Sequence, residues 1–321
     1  MTAKRTTLTL DLAPIAGSRF QPTGFPDLGA ATFERAGDTG ESLLVESAQS
    51  MANHLEATTW DTTTNGPVSE VAQLPYVRVV DEQGEFLTSS RLEAHRLASA
   101  YVLDSKWNGT SVKEALPDLL GLTAGRPVDH RKVAAALFKL DPLSLVHGVF
   151  FAQSSWPWQP KIARAVTAFI EATDARPAVS GGVKKDSVYN DADKAGGRGS
   201  AEGYGMVPHH RVEYTAGRIQ LFAVIDEQQF ASYGLCSAAT ELLSALAWWE
   251  LATLLDDGLR LRTACDLVVA ESGATELPAL DTAQSRLAAA IKAADGELGT
   301  VTEVVWAPPT KGRTKSSTED E

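Results

Sequence analysis

The stretch Val179–Met206, VSGGVKKDSVYNDADKAGGRGSAEGYGM, constrains the fold more than any other. It connects two segments that read as strands, Pro177–Val183 and Arg218–Ile225. It is rich in Gly, Asp, Lys, Ser and Asn and almost free of large aliphatic side chains. Connections longer than about 12–15 residues are uncommon in compact domains unless they are functional or disordered. Gly181 and Gly182 precede Lys184 and Lys185. Paired glycines let a ligand approach the backbone, and two ammonium groups beside them suit phosphate. Tyr189 and Tyr204 add stacking faces near the ends. A solvated surface loop has the same composition, so the stretch alone leaves both readings open.

The rest of the chain narrows the choice. Its 321 residues are 44% hydrophobic and 22% charged, which describes a soluble globular protein with one large domain or one domain carrying an elaborate insertion. Cys236 and Cys265 both fall in apolar segments and read as buried reduced thiols, neither a disulfide frame nor a metal site. The N-terminal MTAKRTTLTLDLAP alternates without a continuous apolar run, so no signal peptide is expected. No apolar run reaches the roughly 18 residues of a membrane span, and a cytoplasmic protein is the expectation.

A net charge of −12 at first opposes a nucleic-acid partner. The charge is segregated, however. Residues 27–85 hold eleven acids and two bases, and residues 250–303 hold ten acids and four bases. Residues 155–185 instead carry Lys161, Arg164, Arg176, Lys184 and Lys185 against Glu171 and Asp174. The basic charge therefore gathers beside the long connection, as in a protein with one anion-facing side.

Periodicity gives the elements. Thr6–Leu12 alternates as a half-buried strand, and Ala16–Thr32 is turn-rich around Pro22 and Pro26. Glu41–Thr58 reads as a helix with Gln49, Ser50 and Asn53 on its polar side, followed by a polar loop over Thr59–Pro75. Tyr76–Val80 is a short strand. Ser90–Leu103 reads as a helix whose Arg91, His95 and Arg96 share a polar face. Val112–Leu120 and His130–Leu140 are helices, Leu145–Ala152 a buried strand, and Pro160–Thr173 a helix with Lys161 and Arg164 near its start. Ser237–Leu255 is apolar on nearly all sides and reads as a buried helix. Arg262–Ala270 reads as a strand, Thr282–Ala294 as a helix and Val301–Trp306 as a last strand in the same sheet. The tail from Pro308 to Glu321 is expected to be disordered. The pattern predicts an α+β fold, ferredoxin-like, with large insertions between about Thr59 and Met206.

Catalytic signatures are missing from the sequence. It contains no GxSxG, HExxH, Walker A or CxxC pattern. His209 and His210 are adjacent, so on a strand they point to opposite faces, which does not suit a metal pair. His54, His95, His130 and His147 are scattered. A soluble metal-dependent nuclease or other enzyme using His95, His209 and His210 stays open as the alternative. Trp248 and Trp249 lie in the apolar helix and read as core, and Trp156 and Trp158 as packing residues beside prolines. Residue types that hold phosphate and sugar remain: Arg19, Gln21, Ser50, Asn53, Arg91, Arg96, Lys184 and Lys185. Together they point to binding, not turnover.

Several stretches resemble one known family. Arg19–Gly29 (RFQPTGFPDLG) and Glu46–Glu56 (ESAQSMANHLE) look like the N-terminal motifs of the backbone subunit of type I-G (formerly I-U) CRISPR Cascade complexes, a member of the RAMP superfamily. Ser89–Arg96 (SSRLEAHR), Lys161–Ala172, Ser180–Lys184 and Leu255–Arg262 are similar too, so the resemblance spans roughly residues 15–270.

The resemblance implies an RRM-like palm over residues 1–307, with insertions at about 59–206, a thumb at about 183–211 and a separate tail over 308–321. It implies copies that polymerise along one CRISPR RNA and present the guide for pairing with target DNA. Further implied partners are a large subunit, the subunit that caps or processes the guide, and a recruited helicase-nuclease. No cofactor and no catalytic residue are implied. The residues named above become candidate RNA contacts. Such a protein holds RNA through phosphate and shape while base pairing reads sequence.

Overall fold

The computed structural model describes residues 4–25, 28–37, 40–185, 206–256, 258–270 and 277–307. Elements are numbered in chain order. Strands β1 (Thr6–Pro14), β2 (Thr32–Glu34) and β3 (Glu41–Glu46) lead into helix α1 (Ala48–Ala57). Strands β4 (Val77–Val80), β5 (Phe86–Ser89), β6 (Ser105–Trp107) and β7 (Thr110–Ser111) precede helices α2 (Val112–Leu119) and α3 (His130–Leu140). Strands β8 (Val149–Phe150), β9 (Lys161–Ile162), β10 (Val166–Thr173), β11 (Arg176–Lys185), β12 (Met206–Thr215) and β13 (Arg218–Ile225) follow. The chain closes with helix α4 (Ser237–Asp256), strands β14 (Leu259–Arg262) and β15 (Cys265–Val269), helix α5 (Leu280–Ala294) and strand β16 (Thr302–Trp306).

The α+β expectation holds. The main sheet has seven strands in the order β14-β15-β1-β13-β10-β3-β2, with every neighbouring pair antiparallel. Its central strands alternate strictly. Leu8, Leu10 and Leu12, then Ile219, Leu221, Ala223 and Ile225, then Val166, Ala168, Ile170 and Ala172 all point to one buried face. Helices α1 and α4 cover that face, and α5 packs on α4. Residues of a strand that alternate in this way commit one whole face to the core. The sheet's other face carries Thr9, Thr167, Gln220 and the stacked pair Phe169–Phe222, whose ring centroids are 5.3 Å apart.

A second, five-stranded sheet runs β7-β6-β16-β4-β5. There β16 pairs in parallel with β4, Thr302 opposite Val77, so the last strand joins the inserted region and not the main sheet as expected from sequence. Apolar burial is nevertheless continuous from Leu8 to Val304. Among the described residues no helix is long and apolar enough to cross a membrane, α4 included.

The long connection of the sequence is built on a hairpin. Strands β11 and β12 pair without a break from Arg176–Thr215 to Lys185–Met206. Ten residues at about 3.3 Å each make an arm roughly 33 Å long. Val179 and Val183 on it are 66% and 56% exposed, so little of the protein covers the arm. Its base is fastened by mutual backbone hydrogen bonds of 2.9 Å between Phe20 and Tyr214. Residues 186–205, with Tyr189 and Tyr204, and the tail over 308–321 lie outside the described residues.

Three expected helices are corrected. Glu41–Thr58 divides at Ser47: Glu41–Glu46 is a strand paired with β10 and β2, and only Ala48–Ala57 is helical. Ser47 caps that helix by accepting from the Ser50 N–H at 3.2 Å. Pro160–Thr173 is strand, because VTAFIEAT buries every second residue between β13 and β3. Its alanines have helical propensity, and tertiary pairing overrides it. Ser90–Leu103 is mostly turn, with a 3-10 stretch at Arg96–Ala98 and one α-helical turn at Ala100–Leu103. Leu145–Ala152, expected as strand, splits into a short helix ending at Val146 and the two residues of β8. Cys265 is buried as expected, whereas Cys236 is exposed.

Candidate functional site

Helix α1 is amphipathic. Met51, Ala52, Leu55 and Glu56 face inward, and Gln49 and Asn53 are exposed one turn apart. Those two amides form one side of a cleft of about 810 Å³. Its far side is the turn at Ala94–Ala98, which brings His95 to the rim. Its floor is the pair β8–β9, with Val149 opposite Ile162 and Phe150 opposite Lys161. Val149 and Ile162 turn into the core, which leaves Phe150, 49% exposed, and Lys161 on the open side. The Lys161 ammonium lies 5.9 Å from the Phe150 ring centroid. Gln153 and Arg164 complete the polar lining.

Gly148 makes this floor possible. It has φ +80°, and a Cβ there would stand 2.8 Å from the Ile162 carbonyl oxygen and 3.0 Å from the Arg164 nitrogen. Only glycine lets the two backbones lie that close.

Beneath the cleft sits a buried ionic layer. Arg96 donates to both Glu56 oxygens at 2.5 and 2.6 Å and to the Gly148 carbonyl at 3.0 Å. His147 Nε2 lies 3.0 Å from Glu250, with both side chains fully buried. Burial pushes the Glu56 carboxyl above its ordinary range, against the opposing pull of His147 and Arg96. Arg164 donates to the Ala48 carbonyl at 3.1 Å, while its Nε and the His147 Nδ1 have no hydrogen-bond partner among the described residues. Burial, then the neighbouring Arg96, pulls the Arg164 pKa below its ordinary value.

The electrostatic character of the cleft follows. The chain has 41 acidic residues, yet among the described residues no Asp or Glu lines this cleft. Glu56 and Glu250 lie below it and are already paired with Arg96 and His147. Lys161 and Arg164 therefore face the opening without a lining carboxylate. A cleft of that kind favours anions.

A second cleft of about 430 Å³ lies at the base of the hairpin arm, lined by Gln21, His210 and Tyr214 among others. The segments that line the two clefts are tied to each other by hydrogen bonds. Thr23 donates its N–H to the Val45 carbonyl at 3.0 Å. Arg262 donates to the carbonyls of Gln21 and Val45, both at 3.1 Å, and pairs with Glu46. Ser47 then starts α1, whose Ala48 carbonyl holds Arg164.

The sequence profile of the family described as CRISPR-associated protein GSU0053 (Cas_GSU0053) matches residues 7–177, more than half of the 321-residue chain. The chain belongs to that CRISPR-associated family. The matched region includes β1, α1 and the whole of the larger cleft, whose lining runs from Gln49 to Arg164, but stops at the start of the hairpin arm. The motif at Leu255–Arg262 lies beyond it. No curated protein matches this GSU0053-family chain. A chain of a solved structure titled "CRISPR RNA-guided surveillance complex, pre-nicking" is similar at 11% identity with a TM-score of 0.36, covering 77% of this chain and 70% of that one.

The structure distributes the expected contact residues unevenly. Asn53 lines the larger cleft and Gln21 the smaller. Ser50 is half-buried beside Gln49. Arg19 is exposed at the arm's base, 3.4 Å from Glu213, which Arg211 also approaches at 3.2 Å. Lys184 and Lys185 end the described part of β11, opposite Val207 and Met206. Arg91 and Arg96 are a correction: they are 3% and 6% exposed. The Arg91 guanidinium donates to the Leu74 carbonyl at 2.9 Å and lies 5.0 Å from the Tyr76 ring centroid. Arg96 reaches the cleft wall, but its donors are taken by Glu56 and Gly148. Neither presents a free guanidinium to an outside ligand.

For the alternative chemistry, His95 lines the larger cleft and His210 the smaller. Among the described residues no three His, Cys, Asp or Glu side chains gather as metal ligands. Trp249 is buried, and Trp156 stacks on Phe151 with centroids 5.3 Å apart while donating to the Lys113 carbonyl. Sequence reasoning placed Lys161 and Arg164 in the basic region without assigning them to the site. It missed Phe150, because an apolar run read as buried strand hides one exposed ring.

Proposed function

We propose that this protein is a non-catalytic RNA-binding subunit of a type I-G Cascade complex, of the RAMP superfamily, working in the cytoplasm. Copies of it line up along one CRISPR RNA and offer the guide to target DNA. The observation that carries this reading is the cleft beside α1, which no carboxylate lines among the described residues of a strongly acidic protein. An RNA backbone laid in the larger cleft meets Gln49, Asn53, Lys161 and Arg164, with Gln21, Arg19, Lys184 and Lys185 as further candidate contacts. Contacts to phosphate and sugar position a strand without reading its sequence.

The palm assignment draws support from topology. Among the main-sheet strands, β1, β10, β13 and β15 stand in the spatial order β15-β1-β13-β10, with α1 before β10 and α4 before β15. That is the arrangement of a ferredoxin-like βαββαβ unit. In this reading the hairpin arm, inserted between β10 and β13, is the thumb. The large subunit, the guide-processing subunit and a helicase-nuclease are the further partners, and no cofactor is involved.

The test is RNA retention. The protein is co-expressed with a CRISPR array and its partner subunits, sized by chromatography and assayed for one discrete RNA. Lys184→Glu, Lys185→Glu and Lys161→Glu together should strip the RNA and leave the far-ultraviolet spectrum unchanged. The wild-type complex should also release RNA as salt rises. Retention of RNA by the triple variant removes the site assignment. Metal-dependent RNA cleavage that is lost in His210→Ala favours the nuclease reading instead.

A further inference from the structure

We propose that the larger cleft is a seat for one unstacked nucleotide, its base on Phe150 and its phosphate on Lys161 and Arg164. The proposal deepens the RNA-binding reading and rests on it for the source of the nucleotide. The argument starts from Phe150. A phenylalanine 49% exposed on a two-residue strand gains nothing from the core, while its chain neighbours Val149 and Phe151 are both buried. It is held at the floor of a cleft where Gln49, Asn53, His95 and Gln153 stand among small and aliphatic residues such as Ala94 and Ala152. Aromatic faces set among amides and cations are what a base needs, because every base has a π-face and exposed edges that amides can pair.

The phosphate end is equally specific. Lys161 is directly opposite Phe150 in the β8–β9 pair, so ring and ammonium are fixed on one side of the same short ladder. Three residues on, Arg164 donates through Nη1 to the Ala48 carbonyl, and among the described residues its buried Nε has no partner. An arriving oxyanion supplies that partner. The volume agrees too: about 810 Å³ falls within the roughly 300–1,000 Å³ of small-molecule sites. A base engaged on Phe150 has left its stack, so the strand that delivers it is unpaired at that point.

One chemistry has two sources here, a residue within a bound RNA strand or a free mononucleotide. The experiment separates them with the full-length protein. Fluorescence anisotropy is measured with a labelled 12-mer of uridines and with the same sugar-phosphate chain lacking bases at its six central positions. Phe150→Ala should weaken the uridine 12-mer by roughly 5- to 150-fold, as expected for one lost stack, and leave the abasic chain unchanged. Phe150→Tyr should restore binding. Lys161→Met should weaken both. If Phe150→Ala weakens neither, or weakens both equally, the seat is refuted while the RNA-binding reading stands. If wild-type protein binds neither oligomer, the RNA reading fails, and uridine and adenosine monophosphates decide the rest. Binding of either that Phe150→Ala abolishes keeps the seat as a free-nucleotide site. Binding of neither overturns it.

Discussion

Arg96 and Glu56, forty residues apart, form a two-pronged ion pair with bonds of 2.5 and 2.6 Å between side chains that are 8% and 5% exposed. Arg96 holds this position at φ +52°, a conformation that costs a non-glycine residue about 1–2 kcal/mol. The pair ties α1 to the turn that walls the larger cleft. Removing one partner leaves a buried charge unmatched, so Arg96→Ala and Glu56→Ala should each cost about 3–5 kcal/mol in urea unfolding. Replacing both together, as Arg96→Met with Glu56→Leu, should recover much of that loss. Single-variant losses below about 1 kcal/mol would show that the pair is not what holds the turn.

Arg96 and its neighbour Arg91 show where sequence reasoning stops. Arg91 and Arg96 in SSRLEAHR are chemically indistinguishable from surface phosphate contacts. What removes them is tertiary: a carbonyl at Leu74 for one and a carboxylate at Glu56 for the other. Elements with strong local rules were legible. His130–Leu140 and the apolar helix beginning at Ser237 form as expected, and so does the strand at Thr6, because periodicity and capping decide them. Val166–Thr173 was not legible, since its alanines look helical until β13 and β3 flank it. Asn53 and Gln21 were recoverable as polar residues on an amphipathic helix and a turn. The cleft joining Asn53 to Phe150 and Lys161 depends on Gly148 bringing two distant backbones together, which no local pattern encodes.

Gly148 offers a direct check on that closeness. Gly148→Ala meets two costs, the positive φ of +80° and a Cβ 2.8 Å from the Ile162 carbonyl. Gly125→Ala meets only the first, since its φ is +73° and nothing lies within 4 Å of its Cβ. The control should lose about 1–2 kcal/mol, and Gly148→Ala should lose clearly more and weaken RNA binding as β8 and β9 separate. Equal losses by thermal or urea unfolding would mean that the backbones can part freely.

The two thiols should behave very differently. Cys236 is exposed, whereas Cys265 is buried and its pKa is pushed up to about 11 by that burial. A disulfide reagent at pH 8 should label one thiol per chain promptly and the second only after denaturation, because thiolate fraction and access both limit the reaction. Cys236→Ser should abolish the fast phase. A fast phase of two thiols would place Cys265 at the surface. Burial also keeps Cys265 protonated in the folded state at a pH where the unfolded chain has lost that proton. Its folded pKa exceeds the unfolded one, so stability should decline as pH rises from about 9 towards 11.

His54 gives the opposite slope near neutrality. It is half-buried on α1 beside Asn53, and burial lowers its pKa from the ordinary 6.5. Between that lowered value and about 6.5, the unfolded chain binds a proton that the folded chain does not. Stability from this residue therefore rises with pH through that window and is lost as pH falls. Buried Glu56 and Asp141, both raised by desolvation, contribute with the other sign, so the raw curve mixes them. The difference between wild type and His54→Gln isolates the histidine, since both proteins keep the carboxylates. Urea midpoints at pH 5.5 and pH 7.5 should show wild type gaining on the variant at the higher pH. A gap independent of pH would mean that His54 keeps its proton in the folded protein as readily as in the unfolded chain. The side of α1 next to the cleft would then be open to solvent and would not be half closed.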